Sequence, residues 1–132
     1  AETVRRAVRT MLESVRPGGV CVIQVLNIWS LPDGPMVWQK TRRIQHEGGD
    51  HILFKGIHRA GPQAWIEVVD LALGGEGIER WSESTRLLGI EANDLVSAAQ
   101  ASGALRIDTF ADYHRTPYDP ATSQDLIVVA GR

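Results

Sequence analysis

Residues Val20–Leu26, VCVIQVL, are apolar at every position except Gln24, and they follow a helix-like segment through the turn Arg16-Pro17-Gly18-Gly19. A strand with one wet face alternates apolar and polar residues. A run without alternation therefore predicts a strand covered on both faces, as in the interior of an α/β sheet, with parallel neighbours on either side. Only nineteen residues precede it, too few to supply those neighbours. The first half of the sheet is expected to come from polypeptide other than these residues.

The flanks support that reading. Val4, Ala7, Val8, Met11, Leu12 and Val15 recur at the spacing of one apolar helix face, with Arg5, Arg6, Arg9 and Glu13 opposite. Pro17 ends the helix, and Gly18-Gly19 allow the positive φ of a tight helix-to-strand turn. Asn27–Pro35 holds two prolines and an Asp-Gly and predicts a loop. Extended segments follow at 36–47, 51–59, 63–73 and 78–88, punctuated by Gly48-Gly49-Asp50, Ala60-Gly61-Pro62 and Gly74-Gly75-Glu76-Gly77. They predict an antiparallel meander with one solvated or ligand-facing side. Glu91–Ser102 returns to helical spacing, with Leu95, Ala98 and Ala99 on one side and Gly103 at the C-terminal cap. Residues 105–113 read as a strand with Leu105, Ile107 and Thr109 on one face. Pro117 and Pro120 bracket a loop, and 126–130 is a second apolar strand. With no helix between them, these last two strands are expected to pair antiparallel at the sheet edge.

Charge and cysteine content narrow the function classes. A net charge of −2 and a pI near 6.1 give no basic field for nucleic acid or an anionic membrane. The single cysteine, Cys21, lies in the apolar run and excludes a disulfide framework. No apolar stretch approaches the roughly 20 residues of a membrane span, and the basic segment Glu2–Arg9 lacks a signal-peptide core behind it. The chain is expected to be soluble and cytoplasmic.

Three segments, VRRAVRTMLESVRPGGVCVIQVLN, STRLLGIEANDLVSAAQASGALRI and DYHRTPYDPATSQDLIVVAGR, stand in this order. Together they resemble the C-terminal half of a class I (Rossmann-like) S-adenosylmethionine-dependent methyltransferase. Ile90 stands where the family usually has a threonine helix cap, and Ala104 where it has a phenylalanine. The resemblance implies an α/β fold, a partial Rossmann-like methyltransferase sheet of C-terminal strands and helices with an inserted antiparallel β meander. Residues 1–35 and 89–132 would form the core portion, and 36–88 an inserted substrate-cap subdomain. The family holds S-adenosylmethionine through its first half, by a glycine-rich turn after the first strand and an acidic residue ending the second. Gly74-Gly75-Glu76-Gly77 is no substitute, because no apolar strand followed by a helix surrounds it. The chain alone is therefore expected to bind no methyl donor and to be inactive. Its expected role is to complete the fold and shape the pocket for a small-molecule acceptor. Its expected partners are a missing N-terminal segment or further copies of itself.

Candidate residues follow from the chemistry. Methyl transfer is an in-line displacement that needs positioning, and a base only where the accepting atom must lose a proton. Asn27, at the carboxyl end of the buried strand, either meets a ligand or satisfies backbone in a turn. Trp29 either walls a substrate pocket or packs a loop. The meander carries Trp38, Arg42, His46, His51, His58, Trp65 and Glu67. Of these, His51 and His58 are candidate catalytic bases, since imidazole titrates near neutrality. The histidines lack the short spacing of a metal motif, so no metal is expected. Trp65 and Glu67 share a strand face and could stack on and hydrogen-bond a substrate, or Glu67 could pair with Arg42 or Lys55. Tyr113, His114 and Tyr118 lie between the final strands, in a region that often borders the acceptor pocket in the resembled family. Arg80, Glu83 and Arg86 read as solvated charges. The competing function is a non-enzymatic, self-associating module derived from a methyltransferase scaffold. A ligand-binding barrel built from the meander fits less well, because Val20–Leu26 is too apolar for a wall with one wet face.

Overall fold

The computed structural model describes residues 2–46, 49–74 and 77–132. In chain order the elements are α1 (Glu2–Glu13), β1 (Val20–Leu26), a 3-10 turn (Ile28–Ser30), β2 (Val37–Trp38), β3 (Arg42–His46), β4 (Gly49–Ala60), β5 (Gln63–Gly74), β6 (Gly77–Leu88), α2 (Ala92–Ala101), β7 (Arg106–Phe110) and β8 (Asp125–Gly131). They divide into two compact units, Ala1–Ser30 with Ile90–Arg132, and Leu31–Gly89.

In the first unit three strands lie in the order β1–β8–β7, both pairs antiparallel. Helices α1 and α2 cover one face. Val8 and Leu12 from α1 and Leu95, Ala98 and Ala99 from α2 meet Cys21, Ile23, Leu126, Val128 and Ala130 in one core. The two alanines leave room for α2 to approach the sheet closely. Burying a leucine here stabilises by about 1.5–3 kcal/mol. The apolar face expected of α1 is wider than the one it buries, for Ala7 is exposed and Met11 is half exposed. Helix α2 is capped at Glu91 rather than Ile90, in extended backbone and without a side-chain cap bond. It ends at Ser102, with Gly103 beyond it at φ +85°, a conformation that only glycine adopts without strain.

The strand Val20–Leu26 forms with the expected bounds, but its surroundings differ from expectation. Its one partner among the described residues, β8, runs antiparallel, and its other edge pairs with no described strand. Its faces also differ. Cys21 and Ile23 are buried against the helices, whereas Val20 and Val22 are 60% and 49% exposed on the opposite side. Apolar uniformity says which faces need cover. It does not say which way a neighbour runs, and backbone pairing with β8 decides that. The closing strands pair antiparallel at one edge of the sheet as expected, with β7 outermost and β8 between it and β1. Its Leu126, Ile127, Val128 and Ala130 are all buried. Leu105 falls outside β7 and is 87% exposed.

The second unit is one five-stranded antiparallel sheet, β2–β4–β5–β6 with β3 also on β4. Gly61-Pro62 turns β4 into β5, with Gly61 at φ +57°. The turns expected at Gly48 and at Gly75-Glu76 lie outside the described residues. The expected strand 36–47 is split in two. Trp38 lies opposite Gly56 and Arg42 opposite Leu53, so residues 39–41 oppose residues 54 and 55. This is a β-bulge, and its extra residue reverses the facing of everything beyond it. The expected alternation of one dry and one wet face is absent too. Most residues of β4 and β5 are half-buried on both sides, with Gly56, Ile57 and Ala64 alone fully buried there.

Candidate functional site

The carboxyl end of β1 gathers most of the polar organisation in the first unit. Asn27 is buried. Its side-chain amide donates to the carbonyls of Pro120 (2.9 Å) and Ser123 (2.7 Å), and its Oδ1 accepts from the Trp29 N–H at 3.3 Å. Every polar group on that side chain is thus engaged with backbone, and it ties the 111–124 loop to the start of the 3-10 turn.

Two carboxylates shape the same loop. Asp112 accepts from the His114 N–H, the Thr116 N–H and the Thr116 hydroxyl. This holds Arg115 in its left-handed conformation, at φ +65°, and the Thr116 bonds chiefly hold the carboxyl below its ordinary pKa. Asp119 accepts from the Ala121 N–H and the Thr122 hydroxyl and is lowered in the same way.

Beside this loop a cavity of about 470 Å³ is lined by Trp29, Glu91, Ala92, Asn93, Tyr118 and Pro120. Its volume suits a small molecule. Two aromatic rings offer stacking surface, the first turn of α2 forms one side, and Glu91 supplies a carboxylate. Burial first, then Asp119 and Glu91, push the Tyr118 hydroxyl above its ordinary pKa, so it remains a hydrogen-bond donor at neutral pH. The Trp29 indole N–H donates to the Ile90 carbonyl at 3.4 Å, which fixes the ring beside the cavity.

Of the expected site residues in this unit, Trp29 lines the cavity and Asn27 braces its loop. Tyr113 and His114 do not line it. Tyr113 is 71% exposed and donates to Gln24 at 2.6 Å, and His114 is exposed on the loop. Glu91, Asn93 and Pro120 were missed. In sequence they read only as helix start and loop punctuation, and nothing local shows that folding brings them to one cavity.

In the second unit the expected residues divide between two faces. Trp38, His58, Trp65 and Glu67 share one face by register, and His51 and Arg42 share the other. The His58 ring stacks on Trp65 with centroids 5.1 Å apart and planes 10° from parallel, and the buried His58 Nδ1 has no hydrogen-bond partner among the described residues. Glu67 accepts from the Ser84 hydroxyl at 2.6 Å rather than pairing with Arg42 or Lys55, because the register sets Ser84 directly opposite it. Trp38 lies over Gly56, where a Cβ would come within 2.8 Å of its ring. On the other face, His51 Nδ1 lies 3.0 Å from both oxygens of Asp70. His46 ends β3, opposite Gly49. Among the described residues no group of three potential ligands could hold a metal ion.

The methyl-donor cradle expected of a class I methyltransferase needs parallel strands that diverge at a switch point. Every strand pair described here is antiparallel, and Gly18-Gly19 sit before β1, not after a strand. No such diverging pair of parallel strands lies among the described residues.

No family model and no curated protein matches the chain. Solved structures do. DesVI of Streptomyces venezuelae aligns with a TM-score of 0.72 at 19% identity, over 98% of this chain and 51% of that one. The sugar N-methyltransferase KedS8 from Streptoalloteichus aligns with a TM-score of 0.70 at 23% identity, over 97% and 49%. CalS10 of Micromonospora echinaspora, an amino pentose methyltransferase solved with S-adenosylmethionine bound, gives 0.69 at 23% identity, over 97% and 50%. The chain thus spans about half the length of the structures it matches. The likeness is one of fold, and the fold is that of the C-terminal half of a class I S-adenosylmethionine-dependent methyltransferase.

Proposed function

We propose that this chain is the acceptor-side portion of a methyltransferase acting on a small molecule, a partial Rossmann-like sheet whose methyl donor is held by polypeptide outside these residues. The observation that carries it is the fold correspondence over nearly the whole chain with half of enzymes named for sugar and amino-pentose methylation. The edge of β1 that no described strand pairs supports a sheet that continues there, and the exposed Val20 and Val22 support cover on the face opposite the helices. S-adenosylmethionine, when bound by the complete protein, would supply the methyl group. This chain's contribution is to hold the acceptor and to exclude water. The cavity walled by Trp29 and Tyr118 offers stacking surface for a ring, with Glu91 and the Tyr118 hydroxyl to orient it. His51 is better equipped as a base than His58. The Asp70 carboxylate fixes its ring, whereas His58 is stacked under Trp65.

Calorimetry with S-adenosylmethionine tests this division of labour. The purified chain is expected to give no saturable heat. The same chain joined to the polypeptide encoded directly upstream is expected to bind one equivalent. Tight one-site binding by the chain alone would overturn the division, and failure of the extended protein to bind would overturn the methyltransferase reading.

A second reading, a self-associating module without chemistry, draws on the second unit's sheet. Trp38, Ile44, Ile78, Trp81 and Leu88 are all exposed there, more apolar surface than an isolated sheet comfortably leaves in water. Light scattering on the same samples distinguishes the two, since a well-folded monomer at micromolar concentration removes the module.

A further inference from the structure

The β2–β3 bulge has a consequence separate from the acceptor cavity. With one extra residue in the strand, Arg42 faces the side opposite to Trp38, the side that Lys55 shares. The Gln39 N–H donates to the Lys55 carbonyl at 2.8 Å, so the bulge is pinned against β4 where Lys55 projects. A depression of about 130 Å³ results, lined by Gln39, Lys40, Arg42, Leu53 and Lys55. Three of its five lining residues are cationic, and none is acidic.

Among the described residues three other cations pair with acids. Arg43 meets Asp50, Arg59 meets Asp33, and Arg106 meets Asp108. Lys40, Arg42 and Lys55 form no such pair among the described residues. Asp70, opposite Leu53 on the same face, is engaged by His51. The chain as a whole is slightly acidic, at −2, so the cluster does not reflect a generally basic surface. Three like charges around one hollow repel one another unless an anion sits among them. The volume is far below the roughly 300–1,000 Å³ that encloses a drug-sized ligand. It suits one small oxyanion group. Arginine supplies a planar fork of donors for such a group, and lysine a point charge. Bulges are common beside functional sites because they re-aim side chains in this way.

We propose that Lys40, Arg42 and Lys55, with Gln39, form an anion site that takes phosphate or the phosphate group of an ester. Titration of the isotope-labelled chain with inorganic phosphate, pyrophosphate and a nucleoside diphosphate, followed by amide chemical shifts, tests it. Saturable shifts confined to residues 39–42 and 53–55 are expected. Tighter binding of the nucleoside diphosphate than of either inorganic anion identifies an esterified ligand, and the reverse order identifies the free anion. Arg42→Gln and Lys55→Gln, both surface changes, are each expected to weaken binding about five- to tenfold, because each removes one charge-assisted contact. Arg43→Gln, on the other face and paired with Asp50, is expected to leave affinity unchanged. No saturable shift with any probe, or an equal loss in Arg43→Gln, would overturn the site. No methyl donor enters the experiment, so its failure leaves the methyltransferase reading standing, and failure of that reading leaves this site standing.

Discussion

Asn27→Ala removes the brace at the carboxyl end of β1, and the structure sets the size of the effect. Two good hydrogen bonds to the Pro120 and Ser123 carbonyls are lost, together with a longer one from the Trp29 N–H. Each of the first two contributes about 1 kcal/mol net. Water can replace the amide at exposed Pro120, but Ser123 is 8% exposed, and an orphaned buried carbonyl costs about 1–3 kcal/mol. The expected loss is about 2–4 kcal/mol, a large share of a stability of about 5–15 kcal/mol for a domain of this kind. Urea unfolding followed by tryptophan fluorescence measures it. With a slope of about 1–3 kcal/mol/M, the midpoint should fall by about 1–2 M at unchanged slope. Asn27→Asp keeps the volume and the acceptor for Trp29 but sets oxygen against two carbonyls, so it should lose at least as much. An Asn27→Ala protein within about 0.5 kcal/mol of the parent would refute the bracing role and return Asn27 to the ligand candidates.

Acid should loosen the 111–124 loop. The folded pKa values of Asp112 and Asp119 are depressed below 3.8, so their contribution is complete above the unfolded value and is lost as pH falls through the folded values. Amide shifts of Thr116 and Ala121 should therefore move with midpoints below the ordinary carboxylate range, with the Thr116 response abolished in Asp112→Asn. Movement centred at or above the ordinary carboxylate range would contradict the assignment. Gly56→Ala should displace Trp38, because the new Cβ would lie 2.7 Å from Met36 Sδ and 2.8 Å from the indole. A loss of about 1–3 kcal/mol with a red-shifted tryptophan emission is expected, and an unchanged spectrum would show that Trp38 does not rest on that glycine.

Element types were legible where local physics dominates. The turn Pro17-Gly18-Gly19, the seven-residue apolar run and the Leu95-Ala98-Ala99 spacing each specify a local conformation, and each forms close to its expected bounds. Gly61 is legible for the same reason, since a two-residue hairpin turn needs a residue that tolerates positive φ. The candidate site was less legible. Trp29 was named and lines the cavity, but Tyr113 and His114 point elsewhere, and Glu91 carried no signal beyond that of a helix start. Glu67 finds Ser84 rather than a cation because partner choice follows register, which no local pattern encodes.

The sequence by itself determined which stretches are helix or strand, which residues seek burial, and that Val20–Leu26 asks for cover on both faces. Tertiary structure decided that its partner is the chain's last strand, running antiparallel through the middle of the sheet. It also decided that one extra residue before Arg42 sends Trp38 and Arg42 to opposite faces. The physical reason is common to both outcomes. Hydrophobic pattern is a property of each residue, whereas strand direction and facing are properties of a hydrogen-bonded pair, fixed only when the second strand arrives.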